Sequence, residues 1–163
     1  CVQDPQARSP DPRATLVFPE GERRSVVAAA TDPTFSYQSH TTTPLGTIYT
    51  DVAIIELDAP STVPPINLSR FDPDADGWVL VPDAQGNWER CPTKSWPGGV
   101  LFWIGCTREP GQSGMPVLRV EEGDRLNIVG VVVAQASTGG LFAHAVAPTL
   151  PALLWDTYAK RTE

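Results

Sequence analysis

Seventeen prolines and thirteen glycines are spread through the 163 residues. They leave few uninterrupted stretches for a long helix, because a proline in a helix interior costs about 3 kcal/mol. Short strands joined by turns are the expected alternative. Apolar and β-branched runs bounded by turn residues recur at 15–18, 25–30, 52–57, 78–81, 100–104, 116–120, 126–133 and 141–146. The intervals lack the helices that parallel crossovers need, so the pattern predicts an antiparallel, all-β chain. The end differs: Leu150, Leu153, Leu154, Tyr158 and Arg161 fall at helical spacing, Thr149 can cap, and Pro151 sits in a tolerated first turn. One C-terminal helix is predicted there. Between the strand runs, Pro60, Pro64, Pro65 and the acidic stretch Asp72-Pro-Asp-Ala-Asp76 mark a boundary between two β units.

Composition narrows the partners. With 41% hydrophobic residues the chain is globular, and its net charge of −7 disfavours nucleic acid and anionic membrane, whose phosphates need clustered Lys and Arg. The Arg23-Arg24 pair reads as a solvated strand end. No run approaches the roughly 20 apolar residues needed to cross a bilayer. Of three cysteines, Cys91 and Cys106 are close enough in sequence to close a loop, and the odd count leaves at least one thiol free or paired outside the chain. His40 and His144, without a paired-Cys motif, are too few ligands for a structural zinc site, and no metal or other cofactor is expected.

Chemistry concentrates in Arg108-Glu-Pro-Gly-Gln-Ser-Gly-Met-Pro-Val-Leu118, where Ser113 lies in a glycine-rich turn ahead of a strand. Gly111 lets the backbone turn so that its N–H and that of Ser113 address one oxyanion, while Gly114 leaves room for a substrate chain. A second element is Asp51, at the head of the apolar run 52–57. There it can orient an imidazole and stabilise its positive charge, although an Asp before a strand is more often a turn residue.

Taken together, Asp51-Val-Ala-Ile-Ile-Glu-Leu57, Pro65-Ile-Asn-Leu68, Gly111-Gln-Ser-Gly-Met-Pro116, Gly130-Val-Val-Val133 and the terminal helix resemble a trypsin-like (chymotrypsin-fold) serine protease of compact bacterial type. The resemblance implies a double six-stranded antiparallel β-barrel whose first barrel is incomplete in this chain. Residues 1–62 would be the remainder of the first barrel, 63–77 the connection, 78–147 the second barrel with the nucleophile, and 148–163 the helix. Members carry the catalytic His in an Ala-Ala-His-Cys-Val context, and this chain opens Cys1-Val2. The resemblance therefore places the general base in an N-terminal segment just upstream of Cys1, about 51 residues ahead of Asp51. Chain order in the family is His, Asp, Ser, so neither His40 nor His144 fills the role.

The family pattern further implies Asp51 and Ser113 as catalytic residues and the Gly111 and Ser113 amides as the oxyanion hole. Thr107, Val133, Ala134 and Gln135 would form the pocket for the side chain before the scissile bond of a polypeptide substrate. Gln112 stands where many members have an Asp that pairs with a freed N-terminus, so activation by that ion pair is not expected. Met115 replaces a small residue and is expected to narrow the leaving-group side of the cleft. Thr107 is not an acid, which disfavours Lys or Arg and favours a neutral side chain.

Two other classes compete. A trypsin-like domain retained as a catalytically inactive binding or regulatory module is one. The other is a hydrolase that uses Cys1 as an N-terminal nucleophile, although such enzymes pack long helices that this chain lacks.

Overall fold

A computed structural model describes residues 14–18, 21–31, 52–83, 85–107, 113–135 and 139–145. The chain divides into two units between Pro65 and Ile66.

In the first unit, β1 (Thr15–Val17), β2 (Arg23–Thr31) and β3 (Ala53–Leu57) form an antiparallel sheet in that order. Gly21, at φ 82°, makes the β1–β2 turn, a conformation that costs a residue with a Cβ. Val26 and Ala29 are its buried apolar residues among those described. A register shift between Val26 and Ala28, opposite β3, bends the middle strand.

A polar clasp holds the chain leaving β3. The Glu22 carboxylate accepts from the Thr62 hydroxyl at 2.7 Å, the Thr62 amide at 3.2 Å and the Ser61 hydroxyl at 3.1 Å. Arg24 pairs with Glu22 at 2.6 Å and donates from Nε and Nη2 to the Pro60 carbonyl. Half-buried Arg24 is thus committed to a turn, while Arg23 is exposed.

The hydrogen bond from the Thr62 hydroxyl, with lesser help from the Thr62 amide, Ser61 and Arg24, holds the Glu22 carboxyl below its ordinary 4.5. A carboxyl lowered in the folded state adds stability above its unfolded value and loses it as pH falls through the folded one. Glu22→Gln should therefore flatten the loss of thermal stability below about pH 4.5, measured as Tm between pH 6 and pH 3. An unchanged acid limb would show that the clasp contributes nothing.

The second unit is a closed barrel. Its strands are β4 (Asn67–Leu68), β5 (Trp78–Pro82), β6 (Trp88–Ser95), β7 (Leu101–Ile104), β8 (Pro116–Glu121), β9 (Arg125–Gln135) and β10 (Leu141–Ala145). They run in the order β10-β7-β6-β5-β8-β9-β4, and β10 also pairs with β9. That extra pairing closes a ring of six antiparallel strands, with β4 added in parallel outside it. The fold is therefore mainly β, with one closed six-stranded antiparallel barrel and a second, incomplete sheet.

Inward residues alternate along each strand as a barrel interior requires. Val79 and Val81, Phe102 and Ile104, Val117, Val129, Val132, Leu141 and Ala143 build the core with Cys91 and Cys106. Each large aliphatic side chain buried there is worth roughly 1.5–3 kcal/mol. Cys91 on β6 is bonded to Cys106, just past β7, which ties two neighbouring strands across the core.

All eight predicted strand runs are present. Two strands were not anticipated. β6 has the sequence Trp-Glu-Arg-Cys-Pro-Thr-Lys-Ser and buries only Cys91, so it lacks the apolar run that marks its neighbours. Its proline is accommodated because β6 changes partner there: residues 88–92 pair with β5 and 93–95 with β7. β4 is two residues long.

Residues 66–77, within the segment read as a connection, are built onto the barrel. Besides β4 they carry the single-turn helix α1 (Pro73–Asp76), capped by Asp72, which accepts from the amides of Asp74 and Ala75. Gly77 ends it at φ 74°. Asp76 meets Arg119 of β8 in a bidentate pair at 2.6 and 2.8 Å, and Phe71 packs 5.1 Å from Phe102. Among the described residues no helix is long and apolar enough to cross a membrane. The predicted helix at 148–163 lies outside the described residues.

Candidate active site

Ser113 stands at the rim of the barrel, in the turn that enters β8. The turn is anchored on β9 by two backbone hydrogen bonds, from the Gly114 amide to the Val132 carbonyl at 2.8 Å and from the Val132 amide to the Met115 carbonyl at 2.9 Å. Gly114 has φ 92° with open space where a Cβ would stand, so the requirement for glycine is conformational rather than steric. The consequence is a serine held on rigid backbone with its side chain exposed.

The Ser113 hydroxyl donates to the Val133 carbonyl at 3.4 Å. That is well beyond the 2.7–2.8 Å typical of a hydroxyl donor, so little is lost when the hydroxyl turns to a better acceptor. Val133 sits where the pairing of β9 with β10 shifts register between Phe142 and Ala143, and such a bulge re-aims the strand locally.

The predicted pocket residues fall as follows. Val133 is buried, Ala134 is half-buried opposite Phe142, and Gln135 is exposed opposite Leu141 at the end of β9. Thr107 is exposed on the segment leaving β7, and its Cγ2 is 3.7 Å from where a Cβ on Gly139 would stand. Ser113, Val133 and Ala134 thus lie on one stretch of β9 and the turn bound to it.

Met115, expected to narrow the leaving-group side, follows Gly114 at the entry to β8 and is half-buried. Its backbone is bound to β9 and its side chain packs against the barrel core. Asp51, Gly111, Gln112 and His40 lie outside the described residues, so neither the predicted acid nor the first oxyanion amide is placed. His144 is in β10, opposite Leu101 on β7 and Val131 on β9.

Residues that sequence reasoning missed are Trp103, Gly105 and Gly140. A Cβ on Gly105 would stand 2.9 Å from Trp103 Cη2, and one on Gly140 only 2.5 Å from Trp103 Nε1. The indole therefore lies across both glycines. Trp96 supports the same region by meeting the Phe142 ring edge-on at 4.7 Å.

Among the described residues, the grouping of metal-ligand type is Glu89 with Cys91 and Cys106, within 4.8 Å of one another. The two sulfurs are bonded to each other and carry no charge to offer a cation. The 3.3 Å approach of Glu89 Oε1 to Cys106 Sγ involves no thiol proton.

No known protein family matches the chain, and a search of curated proteins finds no significant relative.

Proposed function

We propose that this chain hydrolyses peptide bonds as a trypsin-like serine endopeptidase, with Ser113 as nucleophile. The supporting observation is an exposed serine on a positive-φ glycine turn, bound by backbone hydrogen bonds to the rim of a closed six-stranded antiparallel barrel. Such a mount fixes the nucleophile's position before substrate arrives, which is where much of the rate advantage of an enzymatic nucleophile originates.

In this reading Ser113 Oγ attacks the peptide carbonyl. The hydroxyl proton passes to a histidine in the segment upstream of Cys1 and then to the departing amine, so the C–N bond breaks as a serine ester forms. Water, deprotonated by the same histidine, cleaves the ester and restores the serine. Asp51 holds the imidazole, and the Gly111 and Ser113 amides stabilise the oxyanion. The reaction requires no cofactor.

A fluorophosphonate probe on the full-length protein, upstream segment included, tests this reading: Ser113 should be labelled and the adduct should map to its peptide. An inactive binding module is the second reading. In that reading the hydroxyl's hydrogen bond to the Val133 carbonyl is the side chain's resting role. Failure of the probe to label Ser113 in the folded protein would select it.

A further inference from the structure

We propose that Trp103 closes off the pocket beside Ser113 and restricts the residue before the scissile bond to small, uncharged side chains. The proposal rests on the peptidase reading and adds the substrate class. A substrate carbonyl within reach of Ser113 Oγ lies beside the Val133 carbonyl, 3.4 Å from that oxygen. The adjoining side chain then enters the face of the sheet where Ala134, Phe142 and Trp103 stand directly opposite one another on β9, β10 and β7. Neighbouring strands are about 4.8 Å apart, so Trp103 is only two strand spacings from Ala134.

Trp103 is the third residue of β7, and the chain leaves that strand through Gly105 and Thr107. Thr107 Cγ2 is 3.7 Å from where a Cβ on Gly139 would stand, and the Trp103 indole covers Gly105 and Gly140. The indole therefore occupies the volume against Gly105 and Gly140, which a long substrate side chain on this face would have to share. A Cβ added to Gly140 would stand 2.8 Å from the Ile104 carbonyl as well as against the indole, so Gly140 is pressed by both the backbone of β7 and the ring. None of these residues is charged. The cation nearest in register, Lys94, pairs with Trp103 from β6, on the far side of β7 from Gly140.

The test is a matched pair of peptides with Ala or Phe before the scissile bond, assayed with the full-length protein, Trp103→Ala and Trp103→Leu. The unaltered protein should cleave the Ala peptide with kcat/KM at least about tenfold above the Phe peptide, the scale on which an apolar pocket discriminates by size. Both variants should raise kcat/KM for the Phe peptide at least about tenfold while Ser113 labelling by the fluorophosphonate persists. Two variants are used because the smaller side chain leaves a larger void beneath Phe142. Equal use of both peptides by the unaltered protein overturns the pocket assignment alone, as do variants that lose activity on both in proportion. Absence of labelling and of hydrolysis in the unaltered protein overturns the peptidase reading and the pocket with it.

Discussion

Ser113→Ala in the full-length protein should lower kcat for peptide hydrolysis roughly a million-fold, the scale of removing a catalytic serine nucleophile, while some acceleration over water remains from binding and the oxyanion amides. Its stability should change by no more than about 0.5 kcal/mol, because the side chain is exposed and its hydrogen bond to the Val133 carbonyl is long, at 3.4 Å. That separation gives the experiment its force. A nucleophile and a structural turn serine both lose a hydroxyl on substitution, but only the nucleophile loses rate without losing Tm. Residual activity within about tenfold of the unaltered protein would remove Ser113 from the chemistry.

The second large effect concerns the bridge between Cys91 and Cys106. Their separation of 15 residues predicts that replacing both by Ser lowers unfolding stability by about 3 kcal/mol, the chain-entropy cost released when such a loop is opened. The midpoint of guanidinium unfolding, followed by tryptophan fluorescence, should fall accordingly. An unchanged midpoint would mean that the core alone holds β6 to β7. Added thiol reductant should act slowly on the native protein and quickly on the unfolded one, since Cys91 and Cys106 are 0% and 6% exposed. Activity should decline with the bridge, because Cys106 immediately precedes Thr107.

Much of the architecture was legible because a closed barrel imposes a strong pattern on its inner face. Val79 and Val81, or Phe102 and Ile104, stand in apolar runs bounded by turn residues, and those runs are visible in the bare sequence. β6 escaped because its inward place is held by a disulfide rather than by aliphatic bulk, so its sequence reads as polar with a proline. α1 was obscured differently. The same Asp72, Pro73 and Gly77 that resemble a linker are a cap, a first-turn proline and a left-handed stop, and contacts with Thr93, Ser95, Phe102 and Arg119 show that the turn belongs to the barrel.

At the site, glycines around Ser113 announced a special turn because such backbone geometry excludes most residues. The contact of Trp103 with Gly105 and Gly140 carried no comparable signal. It joins two strands distant in sequence, and a tryptophan two residues before a glycine is unremarkable until the sheet brings Gly140 beneath its ring.

The pairing of β10 with both β7 and β9 has a consequence for how the barrel opens. A sheet with free ends frays from its outermost strand, and exchange of its amide hydrogens grades from edge to centre. In a ring every strand has two partners, so β5 through β10 have no outermost member. Their amides should exchange with deuterium as one cooperative group, at the free energy of unfolding the whole barrel. β4, paired on one side only, should exchange first and leave the turn that carries Ser113 in place.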